Sequence, residues 1–158
     1  MFTALEIFDL AAQIEANGEQ FYRHALTRVK RDSFRDLLGW LADQELLHKS
    51  AFTGIKEKIA READDAHLDS SPISREVLSS AMGRHVFSLD ELEIDSIRDE
   101  KEILEAALLF EEDTILFFEF ISPFISDPEA CSVLEKIRLE ESNHKRLLLE
   151  RISEIGPQ

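Results

Sequence analysis

The sequence predicts an all-α fold, an antiparallel four-helix bundle with a long crossover between its second and third helices. Three observations predict it. Apolar residues recur at three- and four-residue steps along four long stretches. Helix breakers are scarce, with 5 Gly and 4 Pro in 158 residues, while an apolar content of 44% is enough for a sizeable core. The four stretches form two pairs, each joined by a tight turn, and short links of that kind make antiparallel neighbours.

The first stretch is expected to be helical over about residues 3–29. The second is expected over about 33–62, with Asp32 or Ser33 as its N-cap. Together they make a hairpin over about 3–62. The third runs over about 98–125, where Pro123 should kink or end it, because proline removes a helical N–H and clashes with the preceding turn. The fourth runs over about 128–154. Asp127-Pro128-Glu129 offers it an N-cap, a proline at the first helical position and an acid in the first turn, and Gly156-Pro157 closes it. These two make a second hairpin over about 98–154. The connector, about 63–97, is long enough to run the length of a bundle, with room for a short extra helix from Ser74 to about Met82. It is also long enough for two protomers to exchange helices. The chain as a whole, 1–158, reads as one domain.

Charge narrows the function classes. The net charge of −15 should repel nucleic acid and anionic membrane surfaces and attract cations. The single Cys131 forms no internal disulfide and no Cys-x-x-Cys pair, which excludes a zinc ribbon or a rubredoxin-type iron site within these residues. The start, "MFTALEIFDLAAQIEANGEQF", is acidic and amphipathic, unlike a signal peptide, so a cytoplasmic location is expected. The most apolar run, "EILEAALLFEEDTILFFEFISPF", is broken by acids every few residues and should not span a membrane.

Four glutamates interrupt stripes that are otherwise apolar. Seven residues is close to two helical turns, so residues seven apart share a face. At that spacing Glu15 lies between Phe8 and Tyr22, Glu45 between Leu38 and Phe52, Glu111 between Leu104 and Phe118, and Glu141 between Leu134 and Leu148. His48 and His144 each follow a glutamate by three residues. Glu15 and Glu111, Glu45 and Glu141, and His48 and His144 are all 96 residues apart, and within each half the acids are 30 apart. Taken singly, Glu45, His48, Glu141 and His144 each suit a surface ion pair. A Glu-x-x-His recurring in register with a further glutamate across a 96-residue repeat is much harder to obtain by chance.

The physics of that set favours metal. A carboxylate in an apolar core costs several kcal/mol unless it is paired or neutralised. Four carboxylates carry −4, which two divalent cations balance. One glutamate from each of two helices plus a Glu-x-x-His from each of the other two is the ligand pattern of di-iron and di-manganese bundles. In that pattern Glu45 and Glu141 would bridge, Glu15 and Glu111 would be terminal, and His48 and His144 would each serve one ion. Oxygen and imidazole ligands suit two iron ions, with manganese or a mixed pair as alternatives, better than zinc.

The segments "IEANGEQFYRHA", "LADQELLHKSAF", "FEEDTILFFEF" and "IRLEESNHKRLL" together resemble the rubrerythrin-like branch of the ferritin-like superfamily, over all but the connector. The resemblance implies a ferritin-like bundle and a carboxylate-bridged di-iron centre that reacts with hydrogen peroxide or dioxygen. It also implies a homodimer, often with exchanged helices. Full rubrerythrins carry a rubredoxin domain that feeds electrons to the centre. One cysteine cannot build it, so the donor would be a separate rubredoxin-like protein. Rubrerythrins also place an extra glutamate one turn after the third-helix ligand, where this sequence has Thr114. Glu112 would point about 100° away from Glu111.

The remaining polar residues suit ordinary roles. Tyr22 is either a core aromatic or a partner of a ligand, and its repeat counterpart is Phe118. Glu19 is expected at a solvated rim, His24 on the surface, His67 and His85 in the connector without ligation, and Cys131 as a small residue in the first turns of the fourth helix. The Phe-rich "ILFFEFISPF" should be core, with a part available to a dimer interface. The leading functional expectation is a di-iron redox protein that reduces peroxide or dioxygen in defence against oxidative stress. The alternatives are a ferroxidase for iron storage or detoxification, a bundle that binds metal without catalysis, and an oxygen-dependent hydroxylase.

Overall fold

The computed structural model describes residues 3–63 and 97–156. They form four long helices: α1 (Ala4–Leu26), α2 (Asp32–Ala63), α3 (Glu100–Ile121) and α4 (Pro128–Ile155), with a 3₁₀ turn, Ser122–Phe124, between the last two. The expected short helix near Ser74 and both His67 and His85 lie outside the described residues. Among the described residues no helix is long and apolar enough to cross a membrane.

The helix ends follow local chemistry. Thr3 caps α1, its hydroxyl accepting the Glu6 N–H at 3.2 Å while the Glu6 carboxylate accepts the Thr3 N–H at 2.8 Å. The helix stops at Leu26 rather than near residue 29. The Thr27 hydroxyl donates back to the His24 carbonyl at 2.7 Å, and the Arg35 guanidinium takes the Leu26 and Val29 carbonyls at 2.9 and 3.3 Å. Val29 keeps the apolar period and is buried, but from the turn. Asp32 is the first residue of α2 rather than the residue before it. The Glu100 carboxylate accepts the N–H groups of Lys30 and Arg31 at 2.6 and 3.0 Å, which ties the α1–α2 turn to the start of α3. Asp99 caps α3 through the Glu102 N–H at 2.9 Å. Pro123 sits in the 3₁₀ turn, so α3 ends just ahead of it. Asp127 caps α4 through the Ala130 N–H at 2.8 Å, with Pro128 in the first turn. Gly156 ends α4 at φ 73°, a backbone region that favours glycine.

α1 packs chiefly on α2 and α3 on α4, with further contacts of α1 on α3 and of α2 on α4. The core forms two layers. One contains Phe8, Phe52, Phe118 and Leu134, and the other contains Tyr22, Leu38, Leu104 and Leu148. These eight are the residues at seven-residue steps on either side of the four glutamates. The order in which each helix meets the two layers shows that α1 and α4 run one way and α2 and α3 the other. Every packed pair is therefore antiparallel. α2 finishes beyond the layer of Phe52 and Ile59, and Ile97 packs against the opposite layer, so the two ends flanking residues 64–96 lie at opposite ends of the bundle.

Candidate metal centre

Between the two apolar layers lies a polar belt to which each helix contributes. Glu15 comes from α1, Glu45 and His48 from α2, Glu111 from α3, and Glu141 and His144 from α4. All six are buried, the four glutamates at 0% exposure. Among the described residues, the buried polar or charged side chains are these six and Thr114. The six sequence-predicted residues are thus brought together at one level.

Their atoms fall into two overlapping groups. Glu15, Glu45, His48 and Glu141 offer ligand atoms within 4.8 Å of one another, and so do Glu45, Glu111, Glu141 and His144. Glu45 and Glu141 belong to both groups, as bridging carboxylates would. His48 Nδ1 lies 2.7 Å from Glu141 Oε1 and 3.6 Å from Glu15 Oε2. His144 Nδ1 lies 2.8 Å from Glu141 Oε2, 3.6 Å from Glu45 Oε1 and 3.7 Å from Glu111 Oε1. The two imidazoles are nearly parallel, 15° apart, with centroids at 5.6 Å.

The electrostatics are those of a crowded anionic site. Burial, then the charges of Glu45 and Glu141, raises the Glu15 carboxyl well above its ordinary range. Burial and the charge of Glu141 push Glu111 up to about 8, against an opposing pull from His144. Burial works to lower the His144 imidazole, but the carboxylates of Glu111, Glu141 and Glu45 outweigh it and push it up to about 12. His48 is raised, burial being outweighed by Glu141 and then Glu45. Burial and mutual repulsion thus favour the uncharged form of Glu15 and Glu111, and the neighbouring carboxylates favour the charged form of His144.

Direct hydrogen bonds leave the site's carboxylates short of partners. Both oxygens of Glu15 and of Glu45, Glu111 Oε2 and Glu141 Oε1 have no hydrogen-bond partner. The close approach of His48 Nδ1 to Glu141 Oε1 lacks the alignment of a hydrogen bond and leaves both atoms orphaned. Buried carboxylate oxygens are normally bonded, and each orphan costs on the order of 1–3 kcal/mol. Converging, unaligned donor atoms with a surplus of negative charge fit two cations bound by oxygen and imidazole.

Around these six residues the structure adds what the pattern of residues left open. The Tyr22 hydroxyl donates across the bundle to Glu111 Oε1. Burial and the charges of Glu111 and Glu45 keep that phenol well above its ordinary range, so the proton stays on the tyrosine. Thr114 is buried with its hydroxyl unpartnered. Glu112 points outward to Lys145 at 2.9 Å. Glu19 is partly exposed beside Arg23 at 3.6 Å, and His24 is exposed. Cys131 Sγ donates to the Ile125 carbonyl at 3.1 Å in the first turn of α4. Phe117, Phe118 and Ile121 of the Phe-rich run are core, and Phe120 and Phe124 pack on each other at its edge.

Three contributors went unread in the sequence. A Cβ on Gly18 would meet Phe110 ring atoms at 2.6 and 2.8 Å and Glu45 Oε2 at 3.0 Å, so only glycine lets that carboxylate and ring close on α1. A glycine inside a helical stripe was the available signal. Trp40 meets the His144 ring edge-on at 5.2 Å and lines a surface groove of about 390 Å³ with Asn143 and Leu147. Glu140 Oε2 lies 2.9 Å from His48 Nε2, a contact between α4 and α2 that spacing along one helix does not reveal.

A family model for a ferritin-like domain matches residues 3–153. A solved structure from Thermotoga maritima, of a candidate ferritin-like diiron-carboxylate protein, is similar with a TM-score of 0.73 and 24% identity. The match covers 98% of this chain and 97% of that one. No curated protein matches the sequence.

Proposed function

The chain belongs to the ferritin-like domain family, and from that premise we propose that it is a di-iron carboxylate redox protein. It reduces hydrogen peroxide or dioxygen with electrons from a separate, rubredoxin-like donor. The observation that carries the reading is the pair of overlapping buried ligand groups that share Glu45 and Glu141. Glu15 with His48 would hold one ion, Glu111 with His144 the other, and the shared glutamates both. Two redox-active ions held there would supply the two electrons that a peroxide O–O bond takes up on reduction to water.

The chain's own residues shape that chemistry. The apolar layers above and below the belt exclude bulk water, which strengthens every charge interaction inside. Tyr22 orients Glu111 and keeps one buried O–H beside it. One aromatic ring, Trp40, separates the surface groove from His144, a short path for an electron from a docked donor.

The second reading is a ferroxidase, an iron-handling protein in which ferrous iron is substrate. Thr114 favours it, because the extra carboxylate that marks peroxide-reducing relatives of the resembled branch is replaced by a hydroxyl. Metal analysis of the native protein, followed by mixing its reduced form with peroxide and separately with oxygen, tests both. Two irons per chain and faster oxidation by peroxide support the first reading. Faster oxidation by oxygen, with ferrous iron supplied beyond two per chain oxidised as well, supports the second. A bound metal with no turnover of either oxidant sinks both and leaves a bundle that binds metal to fold.

A further inference from the structure

The 96-residue repeat is broken just outside the ligands, and both breaks act in the same direction. The counterpart of Glu140 is Gln44, and the counterpart of Tyr22 is Phe118. On one side of the belt His48 turns Nδ1 inward and presents Nε2 to Glu140 Oε2 at 2.9 Å. Lys136 lies 3.8 Å from the other oxygen of that carboxylate. On the other side His144 also turns Nδ1 inward, but among the described residues its Nε2 has no hydrogen-bond partner. Its ring lies nearly perpendicular to the uncharged Trp40 ring, whose counterpart is Lys136.

A carboxylate that accepts the outer N–H of an imidazole fixes the tautomer with its lone pair inward. It also makes that lone pair more basic, and so a better metal donor. His48 has this support and His144 does not. The terminal carboxylates differ in the same sense. Tyr22 occupies a lone pair of Glu111 Oε1, whereas both oxygens of Glu15 are free of hydrogen bonds. One ligand set is thus strengthened at its histidine, and the other is weakened at its carboxylate.

We propose that Glu140 is a positioning residue that makes the two metal positions unequal, so that the position held by His48 and Glu15 fills before the position held by His144 and Glu111. This rests on the two-metal reading above.

Titrating Co²⁺ into the metal-free, full-length protein tests it by calorimetry. The wild type is expected to bind two ions in two separated steps. Glu140→Gln weakens the first step by roughly tenfold, the low end for such outer partners, and leaves the second unchanged, so the steps merge. A merely structural role would weaken both. Gln44→Glu tightens the second step and narrows the gap. Wild-type crystals soaked with one equivalent of Co²⁺ need no variant to fold, and their anomalous density is expected beside His48. Two equal steps, density beside His144, or an unchanged first step in Glu140→Gln overturns the proposal while leaving the two-metal reading intact. A wild type that binds no Co²⁺, or only one ion, overturns both.

Discussion

Each of the four central glutamates has at least one buried oxygen without a hydrogen-bond partner, and only two imidazoles stand among four carboxylates. The excess charge decides what a single substitution does. Breaking a balanced buried ion pair costs about 3–5 kcal/mol, because it strands a charge, whereas replacing surplus buried charge by an apolar group of similar volume is neutral or stabilising. Glu15 is surplus in this sense, since His48 keeps Glu141 and Glu140 as neighbours. Glu15→Met is therefore expected to leave the metal-free protein as stable as the wild type, or up to about 2 kcal/mol more so, while losing one of its two ions. Glu45→Met should lose both, since Glu45 belongs to both ligand groups. Denaturant midpoints with a chelator present, and metals counted per chain, check the pair. A Glu15→Met protein that is much less stable without metal would show that its carboxylate is already satisfied.

At the scale of the helix, glycines give a controlled contrast. Gly→Ala in a helix gains up to about 1 kcal/mol of propensity, and overpacking a core costs about 1–3 kcal/mol. A Cβ added to Gly54 in α2 would meet nothing within 4 Å, so Gly54→Ala should stabilise by up to about 1 kcal/mol. Gly18 in α1 faces Phe110 and Glu45, so Gly18→Ala should destabilise by about 1–2 kcal/mol and weaken metal binding as well. Adding Phe110→Leu to Gly18→Ala should recover part of the loss, which thermal melts of the double-mutant cycle would show. Helix ends respond to caps rather than to packing. Asp127→Ala removes the acceptor of the Ala130 N–H and should cost α4 about 1 kcal/mol. That cap was legible because Asp-Pro-Glu is a local signal. The end of α1 was not, because Val29 keeps the apolar period while Arg35, six residues on, withdraws the last carbonyls from the helix.

Across the whole molecule, the legible part was the part that repeats. The spacing of Glu15, Glu45, Glu111 and Glu141 predicted one polar belt, and the eight apolar residues seven steps away now line its two walls. Residues such as Glu140 and Trp40 escaped because they reach the belt from a neighbouring helix, through contacts that depend on rotation and depth rather than on spacing. The belt also sets how the whole bundle should respond to pH. Glu111 is raised from 4.5 to about 8, Glu15 is raised in the same sense, and His144 is raised from 6.5 to about 12. A group whose folded pKa exceeds its unfolded one binds more protons when folded. Its contribution is complete below the unfolded value and is lost as pH rises through the folded value. The metal-free protein should therefore lose stability from about pH 5 upward, through about pH 8 for Glu111 and on toward about pH 12 for His144. Metal reverses the slope, because ions compete with those same protons and bind better as they leave. Melting curves with a chelator and with Co²⁺ should diverge as pH rises, the metal-free curve falling and the gap between them widening. A metal-free melting temperature that is flat across that window would mean that the belt's carboxylates neither share protons nor repel one another. The case for two cations would then lose its electrostatic basis.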